Sequence, residues 1–304
     1  MSTPPVVVWA FTDGKAGHEN QTRGLLKALA QRFTLDTRWI RVPAYSSVLT
    51  SLMTRRFLPG AGLPPPTLLI GAGHRTHLPL LAARRAFGGR AVVLMKPTLP
   101  RVWFDLCVVP EHDGVSGANV AVTRGALNAV EPGAKRADTG LILVGGPSRH
   151  HGWAERELTA QVEAIVARSA DVRWTLTTSR RTPPGTTARL QELKAANLNV
   201  VPVRDTAPGW LPEQLASATQ AWVSEDSVSM VYEALTAGCA TGILAVPARR
   251  ASRITRGIEL LVRDGLVTSY AQWQAGARLA APTQPFNEAA RVADRIAARW
   301  LNAA

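Results

Sequence analysis

Residues 141–153 read LILVGGPSRHHGW. Four apolar residues, Leu141 to Val144, run directly into Gly145, Gly146, Pro147 and Ser148, and a helical pattern resumes at Glu155. An unbroken apolar run marks a strand buried on both faces, and a glycine turn followed by a helix is the βα unit of a parallel sheet. Gly145 and Gly146 permit a turn that a Cβ would resist. Amide N–H groups left free at that turn and at a helix N-terminus are expected to receive a phosphate. Ser148 adds a hydroxyl donor and Arg149 a positive charge. The stretch lies near the middle of 304 residues, so a second α/β unit is expected to start here, with a nucleotide diphosphate at its mouth.

Outward from this centre the alternation continues. Upstream, residues 6–11, 37–42, 67–70, 91–95, 105–109 and 120–123 read as strands, and 76–87 as a helix. Residues 45–57 suggest a short helix whose basic and apolar surface, with Arg55, Arg56 and Phe57, would rest on anionic lipid. Residues 128–139 are polar, contain Pro and Gly, and read as a linker. Downstream, helices are expected at 155–169, 187–196, 210–218, 229–237, 254–264 and 288–301. Strands are expected at 173–177, 200–203, 221–223 and 241–246. Such spacing suits right-handed βαβ crossovers, so the fold class is α/β: two Rossmann-like, doubly wound parallel sheets facing a cleft.

Composition narrows the partners. Hydrophobic residues make up 46% of the chain, enough for two cores, and the formal net charge is +13. That excess favours phosphates or an anionic membrane surface. Nucleic acid is not expected, because arginine-rich tails, zinc-finger spacings and aromatic RNA-binding motifs are missing. The two cysteines, Cys107 and Cys239, lie in apolar surroundings and read as buried thiols of a reducing, cytoplasmic protein. The first residues lack the basic region and apolar core of a signal peptide, and no apolar run approaches the ~20 residues that span a bilayer. Membrane contact is therefore expected to be peripheral.

Polar residues gather where strands end, and open α/β sheets bind ligands at those ends. After the first strand, Asp13, Lys15, His18, Glu19, Asn20 and Gln21 crowd into one glycine-containing loop, with His18 or Asp13 as a candidate general base. GAGHRTH at 71–77 offers Gly73 for close backbone approach and Arg75 for an anion. His74 and His77 find no complementary ligands nearby, so no metal is expected. The paired arginines after Thr178-Ser179 suit a diphosphate, with Arg180 taken as the contact. In SEDSVSMVYEALTAG at 224–238, Ser227 and Ser229 sit at a helix start. Glu233 shares a face with Ser229 and would accept both hydroxyls of a ribose.

These motifs together resemble the GT-B glycosyltransferases, among them the lipid-linked N-acetylglucosaminyltransferase of peptidoglycan synthesis. DGKAGHENQ, GGPSRHHGW, TTSRR and EDSVSM are more similar still to the bacterial branch of the mitochondrial-fission "elongated mitochondria" (ELM1-like) family, and that resemblance spans nearly the whole chain. The first loop departs from the peptidoglycan enzyme by carrying DGKAGH in place of a run of glycines. The resemblance implies an acceptor domain at 1–135, rejoined by a last helix within 285–304, and a nucleotide-sugar domain at 136–284. It implies metal-independent transfer from a nucleotide-diphosphate sugar, most simply a UDP-sugar, to a hydroxyl of a lipid-linked or cell-envelope acceptor, with no cofactor. Donor-side residues would be Gly145, Gly146, Ser148, Arg149, Arg180, Ser227, Ser229 and Glu233. Acceptor-side residues would be Lys15, Asn20, Gly73 and Arg75, with His18 and Asp13 catalytic. Two rival readings share the architecture: a non-hydrolysing nucleotide-sugar epimerase and a non-catalytic adaptor.

Overall fold

The computed structural model describes residues 4–249, 253–279 and 281–302. The chain divides into two compact units: Met1–Ala129 with Asn287–Ala304, and Val130–Phe286.

In the first unit six parallel strands form one sheet: β1 (Val6–Thr12), β2 (Leu35–Arg41), β3 (Leu68–Ala72), β4 (Arg90–Leu94), β5 (Leu106–Pro110) and β6 (Val120–Thr123). Their order is β2-β1-β3-β4-β5-β6. Successive side chains of a strand face opposite sides, and β1 uses both. Val8 and Ala10 join a core with Leu25 and Leu29 of α1 (Ala16–Ala30) and Val292 and Ile296 of α10 (Glu288–Ile296). Trp9 and Phe11 join the opposite core with Val48 of α2 (Tyr45–Thr54), Leu80 of α3 (His77–Phe87) and Phe57. Each such aliphatic side chain taken from water contributes about 1.5–3 kcal/mol, enough to hold helices on both faces.

The second unit repeats the layering with β7 (Thr139–Val144), β8 (Arg173–Thr178), β9 (Leu198–Val201), β10 (Gln220–Ser224), β11 (Ala240–Leu244) and β12 (Thr268–Ser269), all parallel, in the order β12-β11-β10-β7-β8-β9. Leu141 and Leu143 pack towards α6 (Trp210–Ser217), α7 (Val228–Thr236) and α8 (Arg253–Arg263). Ile142 and Val144 pack towards α4 (Glu155–Arg168), α5 (Pro184–Gln191) and α9 (Tyr270–Gln274). The expected strand at 141–144 and its glycine turn are therefore the centre of this sheet.

Several expectations need correction. The polar loop after β1 is short, because α1 already begins at Ala16. Its first two turns bury Gln21 and Thr22 and no aliphatic residue, so apolar periodicity starts only at Leu25. Phe57 is buried against Trp9 and Phe11 and offers nothing to a lipid surface. Helix α5 starts at Pro184, three residues earlier than expected, because proline is accepted in a first helical turn. The last helix ends at Ile296 and continues as a π-helical turn over Ala297–Leu301. The 128–139 stretch is not a free linker. Lys135 Nζ donates to the Leu215 carbonyl at 3.1 Å and the Arg136 amide to that of Ser217 at 2.8 Å. Both thiols are buried, which pushes Cys107 up to about 11 and raises Cys239. No helix of the described residues is long and apolar enough to cross a membrane.

Candidate functional site

In a doubly wound sheet the crevice at the carboxyl ends opens where the chain reverses its winding direction. In the first unit that point lies between β1 and β3, and in the second between β7 and β10. The special residues gather at both.

At the first point Gly14, at φ +79°, turns the chain out of β1 and α1 follows. Glu19 lies in the first turn, where the helix dipole favours a carboxylate, and accepts from Thr12 Oγ1 at 2.5 Å. His18 Nδ1 lies 3.1 and 3.0 Å from the two carboxylate oxygens of Asp13. The Asp13 side chain is fully buried, and that of His18 is 18% exposed. A carboxylate at Nδ1 keeps the proton there and leaves Nε2 as the acceptor, the tautomer a general base needs. From β3 comes Gly73, at φ +83°. A Cβ on it would lie 2.3 Å from His18 Cε1, so the absence of a side chain at Gly73 makes room for the imidazole. Lys15 precedes α1 and is exposed, Asn20 is half-buried in its second turn, and Arg75 is exposed just past Gly73.

At the second point the turn amides are not free. Gly145 N–H donates to Ser224 Oγ at 2.7 Å, and Gly146 N–H to Asp226 Oδ2 at 3.0 Å. The expected phosphate receptor is thus filled by the protein's own acceptors, which sit at the end of β10 and just past it. Ser224 Oγ in turn donates to Asp226 Oδ1 at 2.8 Å. The Asp226 side chain is fully buried and pairs with Arg181 Nη2 at 2.7 Å. The same Nη2 donates to Ser227 Oγ at 3.0 Å, and Arg181 Nη1 to the Gly146 carbonyl at 2.7 Å. A Cβ at Gly145 would lie 2.1 Å from Ser227 Oγ and 2.2 Å from Asp226 Oδ2, so this closure requires glycine.

The cluster leaves an anion two kinds of donor. Arg181, 43% exposed, is a clamped cation: its Nη atoms donate to the Gly146 and Pro147 carbonyls, Asp226 and Ser227, which leaves Nε–H and the guanidinium charge for an anion. The first-turn amides of α7, at Val228 and Ser229, have no acceptor within the helix. Ser229 is exposed there, and Glu233, half-buried, follows one turn later. Ser148 Oγ accepts from the amides of His150 and His151 at 3.2 and 3.1 Å and so shapes its own turn, while Arg149 and Arg180 are exposed. His151 is 1% exposed, and its Nε2 has no hydrogen-bond partner. Burial holds its pKa below the usual histidine range. The charges of His150 and Arg181 push the same way, and Asp226 opposes them.

Sequence reasoning singled out both arginines after β8 but placed the contact on Arg180, whereas Arg181 enters the cluster. Ser224 and Asp226 were not expected to accept from the Gly145 and Gly146 amides. Their only signal was their position at the end of an apolar strand, which does not say which other strand end they will meet. Among the described residues no group of three or more His, Cys, Asp or Glu is placed to hold a metal ion.

Residues 16–300 match the family described as Mitochondrial fission ELM1. No curated protein matches in sequence. Among solved structures, the putative UDP-N-acetylglucosamine 2-epimerase of Listeria monocytogenes superposes with a TM-score of 0.58 at 12% identity, covering 97% of this chain and 95% of that one. The calicheamicin glycosyltransferase CalG4 gives 0.54 at 14% identity, with 99% of each chain covered. The UDP-GlcNAc 2-epimerase of Methanocaldococcus jannaschii gives 0.54 at 9%, covering 96% and 99%. At such identities the likeness is one of fold: the two six-stranded parallel sheets are those of GT-B proteins.

Proposed function

We propose that this chain, which belongs to the mitochondrial fission ELM1 family, is a nucleotide-sugar enzyme of the GT-B type that transfers a glycosyl group to a hydroxyl acceptor. The observation that carries this reading is the buried Gly145–Gly146–Arg181–Asp226–Ser227 cluster at the winding reversal of the second sheet. It holds a half-exposed arginine beside the N-terminus of α7, the arrangement a diphosphate needs. Arg181, the α7 amides and Ser229 receive the diphosphate of a UDP-sugar, and Glu233 accepts the ribose hydroxyls. As the anomeric bond breaks, these fixed dipoles and the guanidinium stabilise the charge growing on the leaving diphosphate. The first unit binds the acceptor. Nε2 of His18 takes the hydroxyl proton, and Asp13 orients the imidazole and stabilises its cation. The acceptor is lipid-linked, and the protein works from the cytoplasmic face of an anionic membrane. Tyr45, Leu49 and Met53 form an exposed stripe at helical spacing on α2, next to exposed Arg55 and Arg56, which supports this placement.

Calorimetric titration with UDP tests the donor site. Micromolar binding, lost in Glu233→Ala and kept in His18→Ala, is the expected result, and no binding by the wild-type chain refutes the proposal. Sedimentation with anionic vesicles at low salt tests the membrane placement, which an absence of binding removes. A second reading is favoured by the epimerase folds among the similar structures: a one-substrate 2-epimerase. Incubation with UDP-N-acetylglucosamine alone decides it, since an epimerase forms the epimer without any acceptor.

A further inference from the structure

Beside the His18 turn, the first unit holds a cavity of about 270 Å³. This is near the lower end of ligand pockets. Its walls come from segments that follow strands β2, β3 and β4: Val42 and Pro43 past β2, Val48 in α2, Leu78 and Pro79 in α3, and Leu99 past β4. Its floor includes His77, which is 1% exposed, touches Thr98 Oγ1 at 3.3 Å and stacks edge-on against Phe104. Burial, reinforced by the charge of His74, lowers His77 to about 4, so the imidazole is neutral near pH 7. The interior is thus apolar and uncharged, while the rim is not. Exposed His74 and Arg75 line it, and no carboxylate does. Met95, a non-glycine residue at φ +75°, turns the chain out of β4 and delivers Thr98 and Leu99 to the wall. Backbone held in that region costs energy and gathers at ligand sites.

Two further features fix what enters. The rim residue His74 directly follows Gly73, on which the His18 imidazole rests, so the charged rim and the proposed base share one turn. On the other side, Tyr45 lines the cavity and also begins the exposed apolar stripe of α2. We infer that this cavity is the acceptor's subsite, and that the acceptor is an anionic amphiphile. Its apolar chain fills the cavity and leaves past Tyr45, and its phosphate-type anion meets the Arg75 guanidinium. The inference rests on the transferase reading for the word acceptor. The pocket and its ligand class stand on their own geometry.

The test titrates the full chain with decyl phosphate below its micellar concentration, with decanol and inorganic phosphate as the two halves of the probe. Decyl phosphate should bind, decanol should bind more weakly, and inorganic phosphate should not bind measurably. Arg75→Ala should weaken decyl phosphate about tenfold, the loss expected for one charge-assisted contact. Leu99→Trp, which fills the cavity, should abolish binding. Leu58→Ser, exposed and outside both the cavity lining and the α2 stripe, should change it less than about twofold. UDP affinity and circular dichroism, measured on each variant, report whether it is folded. Equal binding of decyl phosphate by wild type, Arg75→Ala and Leu99→Trp overturns the inference, as does no binding by wild type. If UDP binds and decyl phosphate does not, the inference fails alone. If decyl phosphate binds as described and UDP does not, the cavity assignment holds and the transferase reading fails.

Discussion

The two winding reversals make an instructive pair. Each brings two strand-end loops together, and each needs a glycine where the opposite loop intrudes: Gly73 beneath the His18 ring, and Gly145 beneath Ser227 and Asp226. In both, a fully buried carboxylate supports a more exposed basic group, Asp13 behind His18 and Asp226 behind Arg181. The basic groups differ in kind. An imidazole changes charge near neutral pH, whereas a guanidinium does not. One geometry therefore suits moving a proton and the other suits holding an anion. On the proposed reading, the same fold, used twice, separates the two tasks of a group transfer.

The sharpest way to break this comparison is at the glycines. Gly145→Ala sets a Cβ against a buried carboxylate and hydroxyl whose partners span three strand ends. It should destabilise the second unit by about 3 kcal/mol or more, seen as a lowered urea midpoint. Gly73→Ala meets only an imidazole that can swing away, at a cost of about 1–3 kcal/mol for an extended backbone at positive φ that is essentially confined to glycine. It should abolish transfer while the chain stays folded. Equal destabilisation by the two would show that the two points are not built differently.

The carboxylates come next. Asp226→Ala leaves the Gly146 amide and Ser224 without their acceptor, and should lower stability by about 2–3 kcal/mol in urea unfolding. Asp13→Asn keeps the volume and should cost less than about 1 kcal/mol, but it should shift the pH profile of turnover, because Asp13 orients His18.

Acid sharpens the contrast from another side. The His77 pKa is lower in the folded chain than the usual 6.5, so the unfolded chain takes up the proton first. Stability present above pH 6.5 is therefore lost as pH falls towards about 4, by on the order of 2 kcal/mol. His151 carries the same sign in the second unit. Burial raises the Glu225 carboxyl, with the Glu259 and Asp226 charges adding to it and a Val246 backbone bond opposing, so this group acts oppositely. Its contribution is present below the usual carboxylate pKa and is lost as pH rises through the raised value. Urea midpoints between pH 4 and 7 should then be steepened by His77, and His77→Phe should flatten them. An unchanged slope in that variant would exclude His77 as the cause.

The smallest effect separates the neighbouring arginines. Arg181→Ala should weaken UDP about tenfold by calorimetry, and Arg180→Ala less than about threefold. The reverse order would dissolve the cluster's claim to the diphosphate.

Local pattern alone determined much of this protein. Short apolar runs marked most strands and period-3.6 spacing most helices, because burial between two helical layers or under a sheet imposes those patterns within a few residues. It marked 141–146 as a strand and turn, and it drew attention to His18, Gly73 and Ser227. Where the first turns of a helix bury polar residues, as α1 does with Gln21 and Thr22, the apolar periodicity is missing and those turns read as loop. Phe57 looked like a surface anchor because nothing near it in sequence shows that Trp9 and Phe11 will cover it. The filling of the Gly145–Gly146 amides by Ser224 and Asp226, and the pairing of Arg181 with Asp226, depended on which strands lie side by side. Strand order is set by packing the whole sheet, across separations of 45 and 80 residues, and no stretch of sequence carries that information by itself.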